Sequence, residues 1–454
     1  MAITIQQSPT SPNKANADLI YVVTGNSNQP QYQFVCDVQD ANRTVLQRIK
    51  QQPNPSSKGV FDVGQIVGAY LSSEQPWKTT YFATGSNSAK AFWVAFGEEY
   101  GTSTSSSITL YNGVATTAGA PAKSGSAPLI ALDGLVEPNA GYWNWPSASY
   151  YTASVAPTGG SGNFKKQHGL SYAPATQKIE NGEYATIAWI DGNTSYTGAS
   201  ATTAQDVYYV EFKVYNAAGT VIQTITTYYN TTTLGGWPRA NNTEEWPDVY
   251  ADNLPSWRLM YVGVGPANLS ASGNALNSAW SYYTATAYAQ ESAGVEDSTA
   301  YYWQYRFNKQ DPQCAFDGVR FTWKNEFGVW DYYTARLATN SRVSVQRNSY
   351  DQSFVDFSTS TNGVEYNSAR RGTKQFQNML DQTFNVTTDI LSQAEADWLR
   401  ELFFSANVYI QEGTNFYPVV IENAEVIEKT NRRSQKIFQY AFNYKYANQL
   451  RPRL

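Results

Sequence analysis

The feature that most constrains this chain is a repeated alternation of apolar and polar residues over short runs. In the run 32–39, YQFVCDVQ, apolar residues occupy every even position, which is the spacing of a half-buried β-strand. Residues 208–214 show the same period, with Phe212 and Val214 on one predicted face and Glu211 and Lys213 on the other. Because neighbouring side chains point to opposite faces of a sheet, the pattern predicts a mainly β fold.

Several of these runs are separated by short segments of turn-forming residues and are predicted to form hairpins. A Gly-containing segment at 216–219 separates the first pair, and Asn325-Glu326-Phe327-Gly328 separates the last. The predicted pairs are 208–214 with 220–226, 282–288 with 301–307 across a polar loop at 289–300, and 319–324 with 329–337.

Helix signals are few. Asp62 is expected to cap a short helix whose apolar side carries Ile66, Val67, Tyr70 and Leu71. A stronger signal lies at 392–404, where Ser392 and Glu395 have the Ser-x-x-Glu spacing of a capping box. Its apolar stripe is Trp398, Leu399, Leu402 and Phe403, and strands are predicted to follow at 408–410, 419–421 and 437–446.

Length and composition predict several β-sandwich or barrel-like domains with a few short helices. The 454 residues correspond to roughly two to four domains. Charged residues and aromatic residues each make up 15% of the chain, which excludes a disordered chain and a coiled coil. We predict an N-terminal β domain with one short helix at 1–105, a loop-rich excursion at 106–165, a central β domain at 166–315, and a C-terminal β domain at 316–454.

Targeting signals are not readable in the sequence. No stretch approaches 18 consecutive apolar residues, so no membrane span is expected. The start, MAITIQQSPTSPNK, lacks the basic and apolar regions of a secretory signal. Cys36 and Cys314 lie far apart without a CxxC partner, which excludes a disulfide framework and fits folding in a reducing cytoplasm.

A search for reactive groups finds little that points to an enzyme. His168 is the only histidine, and no nucleophile elbow, Walker loop or HExxH motif occurs. We therefore expect no catalytic residue, no cofactor and no metal. Carboxylate-only glycoside hydrolysis stays open as an alternative, on the acidic residues near aromatic runs. These are Glu244, Glu245, Glu291, Glu296 and Asp297, for which surface-loop positions are the simpler interpretation.

Two groups of residues are candidates for an interface. The segment GYWNWPSASYY places Trp143, Trp145, Tyr150 and Tyr151 in a loop-like stretch, where they could stack on sugars, contact another subunit, or pack inside the chain. From Lys429 onward the chain has seven basic residues and no acidic ones, although its net charge is −5. This end could dock an acidic neighbour or be a solvated face, and its candidate residues are Arg432, Arg433, Lys436, Arg451 and Arg453.

Longer blocks of the sequence resemble β-rich virion proteins of tailed bacteriophages that infect Bacteroidetes, including the crAss-like group. The resemblance covers most of the chain. It lies in the general character of these blocks and includes no motif of known mechanism. The blocks that carry it are ADLIYVV, YQFVCDV, VGVGPANL at 262–269, VRFTWKNEFGVWDYYTARL at 319–337, RVSVQRNSYDQSF at 342–354, FNVTTDILSQAEADWLRELFFSANVYI and YPVVIENAEVIEKTN.

The resemblance implies a non-enzymatic tail, baseplate or collar subunit that is made in the host cytoplasm and forms a symmetric oligomer in the virion. Its partners would be copies of itself and other virion proteins. A net charge of −5 gives no reason to expect specific nucleic-acid binding. The alternatives are a receptor-binding protein that recognises host-surface carbohydrate and a head decoration or fibre protein.

Overall fold

The structure is a computed structural model that describes the strands, the helices and most of the turns between them. The described residues are 3–11, 13–25, 28, 30–40, 44–80, 82–101, 108–111, 129–134, 169–193, 207–228, 256–292, 295–310, 318–337, 339–353, 355–358, 363–366, 372–422 and 438–448.

Short β-strands account for most of the described secondary structure, which confirms the predicted mainly β class. The first seventeen are β1 (Thr4–Gln7), β2 (Asn13–Lys14), β3 (Ile20–Thr24), β4 (Gln33–Gln39), β5 (Val45–Gln51), β6 (Lys58–Asp62), β7 (Phe82–Thr84), β8 (Ala89–Glu99), β9 (Ile108–Tyr111), β10 (Leu129–Leu132), β11 (Thr176–Ile179), β12 (Thr186–Asn193), β13 (Val207–Tyr215), β14 (Val221–Tyr228), β15 (Ser256–Gly263), β16 (Tyr282–Ser292) and β17 (Val295–Lys309). The others are β18 (Val319–Lys324), β19 (Trp330–Ala335), β20 (Asn340–Asp351), β21 (Val355–Ser358), β22 (Gly363–Tyr366), β23 (Thr373–Thr387), β24 (Val408–Glu412), β25 (Asn415–Ile421) and β26 (Ala441–Tyr446).

Helices are few and mostly short among the described residues. They are α1 (Gly64–Gly68), α2 (Pro266–Ala271), α3 (Gln393–Phe404) and one turn of 3₁₀ helix at Pro76–Lys78.

The chain divides into two compact units. The first unit comprises Met1–Asp311, Thr322–Tyr332 and Trp398–Ala406, and the second comprises Pro312–Phe321, Tyr333–Asp397 and Asn407–Leu454. The predicted boundaries near 105, 165 and 315 stay a prediction. Within the predicted excursion at 106–165, the structure describes β9 and β10, and both pair antiparallel with β8.

The described strands of the first unit form four sheets. Their strand orders are β1-β3-β6, β2-β10-β8-β4-β5 with β9 beside β8, β11-β17-β16-β13-β14, and β12-β15-β7. Most neighbours are antiparallel, whereas β10 pairs in parallel with β2 and β11 pairs in parallel with β17. Strand β7 pairs with β15, which brings residues near 83 beside residues near 261.

Aromatic side chains fill the core of the first unit. Phe34 and Phe96 have no exposed surface, and burial of each is worth about 1.5 to 3 kcal/mol. In the sheets that follow along the chain, the Trp189 and Trp303 rings lie 5.9 Å apart between centroids. Thus the aromatic residues of the period-two runs are largely core residues, as expected because aromatic side chains pack well on the pleated surface of a sheet.

The second unit is built on a seven-stranded sheet with the order β19-β18-β24-β25-β26-β23-β20, together with the small hairpin β21-β22. Some residues of β18 and β19 belong to the first unit, as the bounds above show. Phe321 packs against Phe442 and Tyr444, with ring centroids 5.3 and 5.4 Å apart. Strand β20 lies at the edge of this sheet, and no described strand pairs with its outer side.

The predicted hairpins are present. Strands β13 and β14 pair antiparallel, and Gly219 in the turn has a φ of +79°. Strands β18 and β19 are neighbours in their sheet, and Gly328 in their turn has a φ of +80°. Glycine is suited to both turns because other residues adopt positive φ only at a cost.

One predicted loop was too long. The pair 282–288 with 301–307 exists as β16 and β17, but these strands extend through 292 and back from 295. Glu291, Glu296 and Asp297 therefore have strand backbone rather than loop backbone. In this extension Glu296 pairs with Gln290, and the register is irregular beyond Ala287.

The prediction of half-burial was wrong for β4, which is covered on both faces. Asp37, predicted on an open face, has no exposed surface and accepts two 2.6 Å hydrogen bonds from Arg48. Strand β18 is similar, because Arg320 and Lys324 are buried although they alternate with aromatic residues. A buried charge needs a partner, and the period of a sequence does not reveal one.

The capping box of α3 is confirmed. Ser392 N–H donates to Glu395 Oε2 at 2.8 Å, and Glu395 N–H donates to Ser392 Oγ at 3.3 Å. Leu399 and Leu402 have no exposed surface, as expected for the apolar stripe. These reciprocal bonds satisfy two amide groups that the helix itself leaves without partners.

The helix after Asp62 is shorter than predicted. It ends at Gly68, so Tyr70 and Leu71 lie beyond it, and its N-cap residue is Val63. Asp62 Oδ1 accepts hydrogen bonds from Gly64 N–H at 2.9 Å and Leu19 N–H at 3.1 Å. The carboxylate thus joins the helix start to a neighbouring segment. The last predicted strand, at 437–446, begins at Ala441.

Candidate assembly surface and buried charge cluster

The predicted interface residues lie outside the described residues. They are Trp143, Trp145, Tyr150, Tyr151, Arg432, Arg433, Lys436, Arg451 and Arg453, and their role stays a prediction. His168, Cys314, Glu244 and Glu245 also lie outside. From the basic C-terminal run, the structure describes Lys445, whose ammonium contacts the Glu422 carboxylate within the same unit.

A long two-stranded ribbon is the most exposed element of the second unit. Strand β20 pairs antiparallel with β23 over twelve residue pairs, from Asn340 opposite Asn385 to Asp351 opposite Thr373. All twelve residues of β20 are exposed, so neither face of this strand is covered. We call residues 340–351 and 373–385 the ribbon.

Apolar and aromatic side chains are present on the ribbon. Val343 is 51% exposed, Val345 41%, Tyr350 47% and Phe376 55%. The pairing skips Phe376, because Asn348 faces Gln377 and Ser349 faces Gln375. Phe376 is thus the extra residue of a β-bulge, and bulges commonly redirect a side chain at a sheet edge. Its ring centroid lies 6.2 Å from that of Tyr350.

The charges of the ribbon nearly balance. It carries Arg342, Arg347 and Lys374 against Asp351 and Asp381. The two ends of β20 differ in sign, since Arg342 lies near its start and Asp351 ends it. An edge strand of this kind presents unpaired N–H and C=O groups to any incoming strand.

Such a ribbon is suited to association. Strand β26 pairs with β23 only at Phe384–Thr387, so most of the ribbon is two strands wide among the described strands, and two strands without a packed face are marginally stable in water. The exposed edge of β20 can accept another strand by backbone hydrogen bonds, and Val343, Val345 and Tyr350 then gain cross-strand neighbours. Sequence reasoning missed the strand at 340–351. The alternation of Val343 and Val345 with polar residues could have indicated the strand.

A second feature is a buried cluster of charged side chains in the first unit. Its members come from segments far apart in the sequence, and we call them the charge cluster. They are Lys14, Asp133, Lys324, Glu326, Asp331 and Glu401. Lys14 has no exposed surface, and its Nζ contacts Glu326 Oε1. Lys324 Nζ lies 2.9 Å from Asp133 Oδ2.

The turn between β18 and β19 positions one side of this cluster. Asn325 Oδ1 accepts hydrogen bonds from Phe327 N–H at 2.9 Å and Val329 N–H at 3.2 Å. The turn also packs closely on residues 133–134, because a Cβ atom on Gly328 would lie 2.6 Å from the carbonyl oxygen of Asp133. Glycine at this position therefore permits the approach that brings Glu326 to Lys14.

Strand β2 positions the other side. Lys14 pairs in parallel with Leu132 of β10, and Ala15 N–H donates to the Leu132 carbonyl at 2.8 Å. The Lys14 amide itself donates to Asn13 Oδ1 at 2.8 Å. The backbone on either side of the Lys14 side chain is thus fixed to a buried strand.

Burial changes the acidity of two carboxyl groups in the cluster. It raises the pKa of Asp331 to about 6, although hydrogen bonds from Ser171, Trp398 and Asn325 act in the opposite direction. Burial likewise raises the pKa of Glu401 well above its ordinary range, and the negative charges of Asp331 and Glu326 add to this. Glu401 therefore holds its proton to a higher pH than an exposed glutamate.

Little space for a ligand adjoins this cluster. A cavity of about 20 Å³ is lined by Leu170, Ser171, Thr186 and Asp331 among others, and it has room for about one water molecule. Among the described residues, no group of three or more His, Cys, Asp or Glu side chains could hold a metal ion. Within the same part of the chain, no helix has the length and apolar character needed to cross a membrane.

Comparisons with known proteins assign no family. No family model matches the chain, and no curated protein matches it. Among solved structures, the chain is similar to one described as a tetra-tandem repeat in the extending region of a large adhesion protein. The identity is 12% and the TM-score 0.19, with 85% of this chain and 69% of that chain covered. A likeness at this level carries no argument about fold or function.

Proposed function

We propose that this chain is a non-enzymatic structural subunit of a tailed-bacteriophage virion, of the tail, baseplate or collar type, which assembles into a symmetric oligomer through its ribbon. The observation that carries the proposal is the exposure of all twelve residues of β20 at the edge of a sheet. The resemblance of the sequence to phage virion proteins supports the part of the proposal that places the subunit in a virion. The ribbon lies within 316–454, the predicted C-terminal β domain.

A second copy of the chain is the partner that the ribbon favours. Two β20 strands related by a two-fold axis run antiparallel, so the Arg342 end of one copy approaches the Asp351 end of the other. Opposite charges then come together at both ends of the joint, and the two seven-stranded sheets become continuous across it. This pairing uses the same surface of each copy. Both β20 edges are then paired, so a third copy cannot add at the same edge.

The test is the mass of the purified full-length chain in solution, measured by light scattering after size exclusion. We expect an oligomer for the natural chain and a monomer for Val343→Lys with Val345→Lys, since lysines on an edge strand are one of the means by which sheets oppose edge-to-edge pairing. The control is Val45→Lys with Val221→Lys, which changes two strand residues of similar exposure, 43% and 45%, outside the ribbon. A monomeric natural chain, or an oligomer that survives the ribbon substitutions, contradicts the proposal.

Host-surface carbohydrate binding is the second candidate, and the exposed Tyr350 and Phe376 pair favours it because aromatic faces stack on sugars. A glycan array with the purified chain separates the two functions. A subunit that only assembles leaves the array empty, whereas a receptor-binding protein retains a glycan and loses it on Tyr350→Ser with Phe376→Ser.

A further inference from the structure

The contact between Lys14 and Glu326 joins two segments separated by 312 positions in the sequence. Lys14 is entirely buried, and the Glu326 side chain is 15% exposed. Buried ion pairs commonly contribute little net stability, because removing both charges from water costs about as much as their attraction returns. A fully enclosed amine held against a carboxyl group has a second possible outcome, which is condensation.

We infer that Lys14 and Glu326 become joined by an amide bond between Lys14 Nζ and Glu326 Cδ, and that the Glu401 carboxyl transfers the protons. This is a covalent cross-link within the first unit, formed by the chain on itself. It needs no co-reactant and does not depend on the proposed role in a virion.

Glu401 is placed for this role. Its Oε2 accepts a hydrogen bond from the backbone N–H of Glu326 at 3.4 Å, so its carboxyl group lies beside the residue that would react. Glu401 is 5% exposed, and both Lys14 and Glu326 act electrostatically on it. Trp398, three residues before Glu401 in α3, is buried together with Trp323, and their ring centroids lie 5.2 Å apart.

The chemistry balances with the groups present. A proton passes from the Lys14 ammonium to the Glu326 carboxylate, which leaves a neutral amine and a carboxylic acid. The Nζ lone pair attacks Cδ and forms the C–N bond, while Glu401 protonates one Glu326 oxygen and takes a proton from the nitrogen. The C–O bond then breaks, one water leaves, and Glu401 is again a carboxylic acid.

Two physical effects favour condensation here over the same reaction in solution. Holding two groups in contact gives effective concentrations of about 10⁵ to 10⁸ M for well-oriented reactions. A buried site also favours the neutral amide over two charges that have lost their water. Lys324 and Asp133 form a second lysine–carboxylate pair that can be compared with Lys14 and Glu326. In this second pair, Asp133 also accepts a hydrogen bond from Ser73 Oγ at 2.7 Å.

The experiment is the intact mass of the full-length chain after denaturation, followed by peptide mapping. We expect a mass lower than the sequence mass by one water, and a linked peptide pair that contains Lys14 and Glu326. The Glu401→Gln chain, folded by circular dichroism, should keep the full sequence mass. The Lys324→Gln chain should still lose one water, because its side chain belongs to the other pair.

Each other outcome counts against the inference. A natural chain with the full sequence mass overturns it without any variant having to fold. A lost water that maps to other residues overturns the assignment of Lys14 and Glu326. A Glu401→Gln chain that cross-links as fast as the natural chain removes Glu401 from the reaction.

Discussion

Trp398 Nε1 donates a 2.7 Å hydrogen bond to Asp331 Oδ2, and both residues are buried in the first unit. The bond joins the middle of α3 to the start of β19. It is charge-assisted whenever Asp331 is ionised, which makes it stronger than a bond between neutral groups. The sequence positions of the two residues, 67 apart, give no sign of the contact.

The first prediction concerns this bond. Trp398→Phe keeps an aromatic ring but removes the donor, so Asp331 loses a partner and the free energy of unfolding should fall by about 1 to 3 kcal/mol. Chemical denaturation followed by fluorescence measures it. Trp280→Phe is the matched control, because Trp280 Nε1 donates at 3.0 Å to the neutral Asn181 and should cost less. Equal losses in the two variants would contradict the prediction.

The second prediction concerns pH. The pKa of Asp331 is about 6 in the folded chain, against about 3.9 when unfolded. Between these values the folded state binds more protons than the unfolded state, so the free energy of unfolding should fall as pH rises from about 4 to about 6. The contribution is on the order of 2 to 3 kcal/mol. Asp331→Asn should flatten this dependence, as measured by denaturation at each pH, and an unchanged slope would refute the assignment.

The third prediction concerns the capping box. Ser392→Ala removes the oxygen that accepts from Glu395 N–H, and should cost about 0.5 to 2 kcal/mol of stability. Glu395→Ala removes the reciprocal bond. Because the two bonds form one unit, the double variant should lose less than the sum of the single losses. Strict additivity in a double-mutant cycle would show that the two bonds act independently.

The fourth prediction concerns Gly328. Gly328→Ala should destabilise the chain more than Gly273→Ala, although both glycines have nearly the same φ, +80° and +82°. An added methyl group at 328 meets the Asp133 carbonyl at 2.6 Å, whereas none of the described atoms lies within 4 Å at 273. The difference between the two thermal midpoints isolates the close approach. Equal midpoints would mean that the turn at 325–328 can move away from Asp133 at no cost.

Local features of this fold could be read from the sequence, because neighbouring residues determine them. The Ser392 and Glu395 spacing and the turn at 325–328 are of this kind, and both are present. The charge cluster could not be read, since Lys14, Glu326 and Glu401 come together only through tertiary structure. A period-two run such as 342–346 predicts a strand, but whether a strand is covered depends on which elements pack against it.

The pairing of β20 with a second copy is tested most directly by amide hydrogen exchange of residues 340–351 in the full-length chain, measured across a dilution series. Amide groups that bond to an added strand exchange slowly, whereas those at a free edge exchange quickly. We predict that protection at alternate residues of β20 rises with protein concentration and is lost in the Val343→Lys, Val345→Lys chain. Fast exchange of the outer amides at every concentration would contradict the account.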